Sequence, residues 1–276
     1  MCCCNPFKNM IYLPYYEARV EFMTVKKILS PANEFLKKAA KLKQKKYRDE
    51  FGLFVTEGER SCREAAESGF VVDCIVMTER FFESHEREFA GFNRIVTTDK
   101  LFMTLCDTKT PQGVLAVVKV PEERELTGNR YIYCDGIQDP GNAGTMIRSA
   151  DAFGFSGVIF SAGSVDVFSP KVIRASMGSV FHMELKTLAG AEFLEQAKQG
   201  GYFITASALH GKSVDIHNMT VLKKQIFVIG NEGNGVSKEI LKQSDEIVHI
   251  PMSGAAESLN AGVAASILMF EVSKHE

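Results

Sequence analysis

Three stretches in the C-terminal half of the chain place polar side chains beside glycines, a composition that favours ligand binding. They are DPGNAGTMIRSADAFGF, VIGNEGNGV and IPMSGAAESLNAGVAASILMF, which begin at Asp139, Val228 and Ile250. Glycines let a ligand approach the backbone, and the N-terminus of a helix can hold an anionic group. Taken singly, each stretch is also compatible with an ordinary turn, or with capping of a helix by Ser258 and Asn260.

The glycine positions disfavour two well-known nucleotide-binding motifs. Gly230, Gly233 and Gly235 do not follow the G-x-G-x-x-G order of dinucleotide-binding proteins, which argues against an NAD-dependent enzyme. The tetrapeptide HGKS at 210–213 resembles the end of a phosphate-binding P-loop, but Ala206 occupies the position where that motif requires glycine. The turns are therefore expected to bind a different class of ligand.

The histidines and cysteines do not indicate a bound metal. The 6 histidines are mostly isolated, and an isolated histidine is more often exposed or hydrogen-bonded than a ligand. Cys2, Cys3 and Cys4 are adjacent, which is not the spacing of metal ligands; lipidation of this terminus stays open as an alternative. The remaining cysteines are expected to be reduced thiols, mostly in the core: Cys62, Cys74, Cys106 and Cys134.

The sequence indicates neither a membrane segment nor a secretory signal. No apolar run approaches the roughly 18 residues that span a bilayer, and the N-terminus lacks the charged-then-apolar layout of a signal peptide. Together with reduced thiols, these features predict a cytoplasmic protein without a membrane partner. Residues 1–22 fit no element, so we expect a disordered extension or a misplaced start before Met23.

The positive charge is concentrated in one segment. The net charge is only −2, yet the segment from Phe35 to Arg48 contains seven basic residues and no acidic one. A basic block on a nearly neutral protein predicts a local anionic partner such as RNA, although a solvated helix face would have the same composition. The residues expected to contact RNA here are Lys37, Lys38, Lys41, Lys43, Lys45 and Lys46.

The N-terminal half alternates strands and helices. Ser30-Pro31 predicts the start of a first helix, whose apolar side carries Phe35 and Leu36. Further helices are expected near 59–68 and 81–89, and strands near 53–55, 71–77, 94–96 and 112–118. This alternation predicts a small α/β domain over 23–121, followed by a polar linker at 122–129.

The C-terminal half, 130–276, repeats the alternation with longer and more buried strands. Strands are expected near 131–134, 157–160, 202–206, 225–229 and 246–250, and helices near 145–152, 169–177, 191–199 and 258–273. Apolar strands separated by helices predict a mainly parallel sheet covered on both faces. Ligands of such sheets bind beyond the carboxyl ends of the strands, which is where the three polar stretches lie.

Taken in order, the three stretches resemble the motifs of the SpoU/TrmH RNA 2′-O-methyltransferases, members of the SPOUT superfamily. DPGNAGTMIRSADAFG resembles the first motif, with Asn142 and Arg148 in register. VIGNEGNGVS resembles the second, with Glu232, and IPMSGAAESLNAGVAASILMFE resembles the third, with Ser258 and Asn260. The intervening SPKVIRASMGSVFHM is similar as well. The N-terminal half resembles the substrate-binding domain that precedes the catalytic domain in many members, so the resemblance runs from about residue 27 to the end.

The resemblance implies properties that composition and spacing do not show. The catalytic domain would contain a deep trefoil knot, and the chain would form a homodimer with S-adenosylmethionine held in the knot. The catalytic residues would be Arg148, Asn142, Glu232, Ser258 and Asn260. The cofactor-binding residues would be Ala206, Gly230, Asn231, Glu232, Gly235, Ile250, Met252, Ser258, Leu259 and Asn260. A side chain at position 230 is expected to clash with this cofactor.

Methyl transfer to a ribose hydroxyl is mainly a positioning task, because donor and acceptor must be held in line and water excluded. A guanidinium stays protonated in proteins, so Arg148 is expected to clamp the adjacent phosphate and orient the hydroxyl rather than act as a base. Arg174 and the lysines are expected to contact further phosphates, and no metal is expected to take part. The favoured substrate is large-subunit (23S) ribosomal RNA; transfer RNA, or a non-catalytic RNA-binding module, are the alternatives.

Overall fold

Two β-sheets, each flanked by helices, organise the chain in a computed structural model that describes residues 24–122, 125–209 and 211–275. We refer to 24–122 as the N-terminal half and to 125–275 as the C-terminal half. The predictions for residues 1–22, for Met23 and for His210 lie outside the described residues.

The N-terminal half contains a mixed five-stranded sheet. Its elements are β1 (Val25–Ile28), α1 (Glu34–Lys41), α2 (Lys45–Phe51), β2 (Leu53–Glu57), α3 (Glu59–Glu67), β3 (Val72–Thr78), α4 (Glu79–His85), β4 (Arg94–Thr97), α5 (Asp99–Leu105) and β5 (Val114–Lys119). The strand order is β1-β4-β3-β5-β2, with β5 antiparallel to both of its neighbours. The sequence did not predict β1 or α5. Strand β1 is short, rich in lysine and mostly exposed, so it lacks the apolar signal of a strand.

The first helix begins later than predicted. Asn33 is its N-cap, because the Asn33 side-chain oxygen accepts hydrogen bonds from the backbone N–H groups of Phe35 and Leu36. The prediction of a helix opened by Ser30-Pro31 was wrong. These residues form a turn, in which the Ser30 hydroxyl accepts a hydrogen bond from the backbone of Ala32. Since α1 ends at Lys41 and α2 starts at Lys45, the predicted lysine block lies on two short helices and, at Lys43, on the turn between them.

The C-terminal half contains a seven-stranded sheet. Its elements are β6 (Arg130–Asp135), α6 (Pro140–Ala152), β7 (Gly157–Phe160), α7 (Pro170–Ala175), β8 (Glu184–Thr187), α8 (Gly190–Gln199), β9 (Phe203–Ser207), β10 (Val214–Asp215), β11 (Gln225–Gly230), α9 (Lys238–Gln243), β12 (Glu246–His249) and α10 (Ala261–Ser273). The strand order is β10-β12-β9-β11-β6-β7-β8, and each neighbouring pair is parallel. The predicted mainly parallel sheet is therefore confirmed.

Two helix starts in the C-terminal half differ from their predicted positions. Helix α6 begins at Pro140 rather than near 145, because Asp139 caps it by accepting a hydrogen bond from the backbone N–H of Asn142 at 2.8 Å. Helix α10 begins at Ala261 rather than near 258, with Asn260 as its cap. In both cases a proline or a capping side chain sets the boundary, and the polar residues of the motifs become part of the helix N-terminus.

The strand order creates a crevice beside β6. From β6 the chain adds β7 and β8 on one side of β6. The later strands lie on the opposite side of β6, where β11 is its direct neighbour. Gly230, the last residue of β11, is in register with Asp135, the last residue of β6. The turns that follow these strands therefore lie side by side at a topological switch point, where open α/β sheets bind ligands.

Aromatic side chains join the two halves into one apolar core. The ring of Phe54 in β2 stacks on Phe168, with 4.7 Å between ring centroids, and Phe70 meets Phe181 edge to face at 5.4 Å. An ion pair between Arg48 and Asp166 crosses the same boundary. The position of the N-terminal half relative to the C-terminal sheet is thus fixed by packing.

Candidate functional site

A cavity of about 320 Å³ opens at the carboxyl edge of the C-terminal sheet. It lies against the ends of β9, β11 and β12, which are neighbours in the sheet, and against the segment that leads into α10. Its apolar lining includes Leu209, Ile229, Ile250, Met252 and Leu259. A second cavity, of about 410 Å³, lies in the N-terminal half beside α4 and α5, away from the motif residues.

Most of the predicted cofactor residues line the first cavity. Those that do are Gly230, Asn231, Glu232, Gly235, Ile250, Met252, Ser258 and Leu259. Two do not: Ala206 is fully buried inside β9, and the Asn260 side chain accepts a hydrogen bond from the backbone of Val263, 3.1 Å away. The sequence missed Ser207 and Ala208, which also line the cavity, although the strand-end rule applied to β9 would have found them.

Glu232 joins the turn after β11 to the turn after β6. Its carboxylate accepts a hydrogen bond from the Asn142 side-chain amide at 2.8 Å, and weaker ones from the backbone of Gln138 and Asp139 at 3.5 and 3.4 Å. Desolvation opposes ionisation, but these hydrogen bonds outweigh it and lower the pKa of Glu232 below its ordinary value. Glu232 is therefore an anion at neutral pH that holds the first motif in place, and its side chain is exposed.

The turn after β11 is closed by its own backbone. Asn231 and Gly235 exchange two backbone hydrogen bonds of 3.0 and 2.9 Å, and the Asn231 side chain donates to the carbonyl of Gly136 at 2.7 Å. A Cβ added to Gly230 would lie 2.1 Å from the backbone carbon of Gly235. Glycine is therefore required at position 230 by the turn itself, which is a different reason from the expected clash with the cofactor.

Arg148 lies on the exposed side of α6 and does not line the cavity. Within the described part of the chain it forms neither a hydrogen bond nor an ion pair, so its guanidinium is available to a ligand. Helix α6 is held closely against α10: the hydroxyls of Ser149 and Ser266 are 2.8 Å apart, and a Cβ on Gly262 would lie 3.3 Å from the Asn142 side-chain oxygen. The first and third motifs thus share one helix pair.

The predicted RNA-binding residues differ in what they contact. Lys37 pairs with Glu34 at 3.1 Å and Lys45 with Asp49 at 4.0 Å, whereas three lysines lie over aromatic rings: Lys38, Lys41 and Lys46. Lys43 is half-buried. Arg174 pairs with Asp107 of the N-terminal half at 2.8 Å, so part of its guanidinium is already engaged. Arg48, counted with the basic segment, is buried.

Comparison with known proteins decides the family. Residues 129–270, slightly more than half of the chain, match the SpoU rRNA Methylase family. This chain belongs to that family. Residues 33–116 match the MRM3-like substrate binding domain. The resemblance predicted from the three motifs is therefore confirmed, together with the substrate-binding domain in front of them.

Relatives of this SpoU methylase match it over nearly their whole length. The 23S rRNA (guanosine(2553)-2′-O)-methyltransferase RlmP of Bacillus subtilis is 33% identical over 249 residues, which are 90% of this chain and 99% of that protein. The AdoMet-bound rRNA methyltransferase of Sinorhizobium meliloti superposes with a TM-score of 0.81 at 30% identity, covering 91% of this chain and 98% of that one. The AdoMet complex of AviRb from Streptomyces viridochromogenes gives 0.79 at 26% identity, with coverages of 88% and 98%.

The described cysteines of this SpoU methylase are buried and unpaired: Cys62, Cys74, Cys106 and Cys134. The prediction of reduced thiols at these positions is confirmed. Burial raises the pKa of each thiol, that of Cys106 to about 12, which leaves them unreactive. Between residues 24 and 275, gaps aside, no helix is long and apolar enough to cross a bilayer.

One cluster in the described residues has the composition of a metal site. The ligand atoms of Glu59, His85 and Glu88 lie within 4.8 Å of one another. Arg63 forms ion pairs with both glutamates. A cation at this cluster would compete with the guanidinium that already neutralises it, so the cluster lends no support to a metal in the reaction.

Proposed function

We propose that this SpoU methylase transfers a methyl group from S-adenosylmethionine to a ribose 2′-hydroxyl of large-subunit (23S) ribosomal RNA. The observation that carries the proposal is its similarity, over 90% of its own length and 99% of the relative's, to a protein named as a 23S rRNA 2′-O-methyltransferase. The arrangement of the site supports it, because residues of the second and third motifs line one cavity and Glu232 ties the first motif to them.

The cavity suits S-adenosylmethionine in size and lining. Its volume of about 320 Å³ falls within the range of small-molecule sites, roughly 300 to 1,000 Å³. Ile250 and Leu259 offer apolar contact for an adenine ring, while Ser258 and the backbone next to Gly230 offer polar groups for the ribose and the amino-acid part. When bound, this cofactor supplies a methyl group on a positively charged sulfur. Two of the similar solved structures contain it.

The residues of the chain then supply positioning. Glu232 and Asn142 fix the turn after β11 against the start of α6, and this contact sets where Arg148 projects two turns later on the same helix. The planar guanidinium of Arg148 can hold an RNA phosphate through paired hydrogen bonds and orient the neighbouring hydroxyl. The exposed apolar side chains Leu209, Met252 and Leu259 surround the cavity and would exclude water from the reacting groups once covered.

The decisive experiment maps 2′-O-methyl groups. The purified protein and S-adenosylmethionine are incubated in three separate reactions with large-subunit rRNA, small-subunit rRNA or tRNA. The methylated positions of each RNA are then mapped by primer extension. We expect one modified ribose in the large-subunit RNA. Methylation of tRNA alone would mean that the substrate is tRNA and not rRNA. RNA binding without any methylation would mean that the protein is a non-catalytic binding module.

We propose that the protein acts as a homodimer. Helix α10 exposes a row of apolar side chains at i, i+4 and i+7 spacing, namely Val263, Ile267 and Phe270, which are 46%, 36% and 50% exposed. The ring of Phe153, the residue that follows α6, lies beside Phe270, with centroids 5.8 Å apart, and widens the patch. A contiguous apolar stripe next to a binding site is typical of a surface buried in an assembly, and a two-fold axis would place the same stripe of a second copy against it.

Three further statements belong to this proposal. The chain is divided into an RNA substrate-binding domain at 23–121, a linker at 122–129 and a methyltransferase domain at 130–276. The segments around β11, β12 and α10 form a deep trefoil knot, as the resemblance to SPOUT proteins implies. The protein works in the cytoplasm, a compartment in which buried unpaired cysteines stay reduced.

A further inference from the structure

The two short helices of the lysine block present a surface that combines cations with aromatic rings. We call it the lysine–aromatic face, formed by Lys38, Lys41, Lys46, Tyr47 and Phe51. The rings of Tyr47 and Phe51 stack along α2, with centroids 5.9 Å apart and 22° between their planes. The ammonium of Lys38 lies 4.8 Å from the centroid of Phe51, and those of Lys41 and Lys46 lie 5.1 and 5.7 Å from that of Tyr47.

The three lysines of this face have no carboxylate partner among the described residues, unlike Lys37 and Lys45. Their side chains are exposed, whereas the two rings are half-buried. An exposed ammonium held only by a ring is free to move onto a phosphate, which binds it more strongly than the ring does. Once the ammonium moves, the face of the ring is open to a nucleobase.

We propose that the lysine–aromatic face binds an unpaired stretch of the RNA substrate, with a base stacked on Tyr47 and phosphates held by the three lysines. This inference rests on the proposed function and adds the kind of RNA that is recognised. Aromatic rings beside a basic track bind single strands, because an unpaired base can be splayed onto the ring. A base inside a duplex is already stacked between its neighbours and does not reach the ring.

The face is fixed on the side of the molecule that carries the site. Next to Tyr47 in α2, the buried side chain of Arg48 donates a hydrogen bond from Nε to Asp166 at 3.0 Å, in the loop after β7. The backbone of Val165 in that loop donates to the carbonyl of Ile137 at 2.7 Å. The residues after Ile137 lead directly into the start of α6. RNA held on the face is therefore anchored at the same edge of the sheet as the catalytic motifs.

The test compares two RNA probes with two variants at Tyr47. The probes are a single-stranded RNA of mixed sequence and the same strand paired into a blunt duplex, with binding measured by fluorescence anisotropy. Tyr47→Leu should weaken binding of the single strand by about fivefold or more, as expected for one lost base–ring stack, with little change for the duplex. Tyr47→Phe keeps the ring and should bind as the wild type. Phe82→Leu, which removes another half-buried ring beside a cation, is the matched control.

An equal loss for both probes, or unchanged binding of the single strand by a folded Tyr47→Leu, would overturn the inference. If Tyr47→Leu does not fold, the inference is tested by tyrosine fluorescence on addition of RNA, which is measurable because the chain contains no tryptophan. The single strand should quench the emission of the wild type and quench that of Tyr47→Phe less; equal quenching contradicts the inference. The wild-type methylation assay distinguishes the two proposals. If the wild type methylates rRNA but the Tyr47 variants bind RNA normally, only this inference is wrong. If the wild type does not methylate rRNA, the proposed function is wrong.

Discussion

Three arginines of the chain have different surroundings. Arg48 is buried in an ion pair with Asp166, and Arg174 pairs with Asp107 at 2.8 Å. Arg148 projects from α6 without any partner among the residues described. A guanidinium that the fold does not use is the one that remains available for a substrate phosphate, so Arg148 is the residue at which loss of chemistry should be largest.

The first prediction concerns Arg148. Loss of a positioned, charge-assisted contact is worth several kcal/mol, so Arg148→Ala should lower single-turnover methylation by roughly two to three decades. Arg148→Lys should stay strongly impaired, because an ammonium lacks the planar fork. Cofactor affinity, measured by calorimetry, should change by less than about threefold, since the arginine acts on the RNA. Arg60→Ala, at an exposed arginine of α3, is the control. Near-normal turnover of Arg148→Ala would contradict a catalytic role for Arg148.

The second prediction concerns Gly230. A methyl group there would overlap the backbone of Gly235 and Val236, both 2.1 Å from its expected position. Gly230→Ala should therefore lower the free energy of unfolding by about 1 to 3 kcal/mol and abolish cofactor binding, because the turn that lines the cavity cannot close. Gly163→Ala is the matched control, since no atom lies within 4 Å of its Cβ position and it does not line the cavity. Urea unfolding and calorimetry measure the two effects, and an unchanged unfolding midpoint for Gly230→Ala would contradict this account.

At the scale of the elements, α1 and α2 divide one basic segment into a side that packs on the core and an outer side that carries the lysines. Leu36, Ala39 and Leu42 face the core, and Arg48 ties the end of α1 to the C-terminal half by donating to the carbonyl of Leu42 at 2.7 Å. The lysines are left on the outer side. A solvated helix face and an RNA-binding face have the same sequence pattern, and they differ in whether the lysines release counterions when RNA binds.

The third prediction makes that distinction. Replacing Lys38, Lys41 and Lys46 by glutamate should weaken RNA binding and reduce the slope of log affinity against log salt by about 0.7 to 0.9 for each lost phosphate contact. Cofactor affinity should not move, because the lysines do not line the cavity. The matched control reverses three other exposed lysines, Lys223, Lys238 and Lys242. A salt slope that stays unchanged in the triple variant would mean that the lysines form only a solvated face.

At the scale of the whole molecule, the side chain of His182 links the two halves by hydrogen bonds. His182 lies between Asp151 of α6 and Glu64 of α3, at 3.0 and 2.9 Å. Partial burial disfavours the charged ring, but the two carboxylates outweigh it and raise the pKa of His182 above its ordinary value. The contact is therefore strongest when the imidazole is protonated.

The fourth prediction follows from this shift. Because the pKa is higher in the folded than in the unfolded state, the stabilisation is fully present below the unfolded pKa of about 6.5 and is lost as pH rises through the folded value. Since the ring is partly exposed, we expect a loss below about 1 kcal/mol. Urea unfolding at several pH values should show this decline for the wild type and a flatter profile for His182→Gln. Identical profiles would remove His182 as the titrating group.

The fifth prediction concerns assembly. If the exposed stripe of α10 is buried between two copies, the wild type should sediment as a dimer at micromolar concentration. Phe270→Asp should shift it to the monomer, because burying a carboxylate in an apolar interface is costly. Met103→Asp, at an exposed apolar residue of α5, should leave the dimer intact. A wild-type monomer with full methylation activity would contradict the homodimer.

The sequence by itself determined the family and the class of the fold. Methylation of RNA requires particular residue types at fixed spacing in short segments, and such segments can be recognised from the sequence without a structure. The parallel sheet was predicted correctly for a similar reason: strands buried on both faces, such as residues 158–160 and 226–229, are continuous apolar runs. The shorter β1, β8 and β10 were missed because edge strands carry a weaker apolar signal.

Only the tertiary structure decided which of these residues meet. Asn142 and Glu232 are 90 positions apart, and Arg48 and Asp166 are 118 apart. Contacts over such separations depend on the order of strands in the sheet and on how the two halves pack, which no local pattern specifies. For the same reason Arg48 and Lys46 look alike in the sequence, although one is buried at the boundary of the two halves and the other is exposed to solvent.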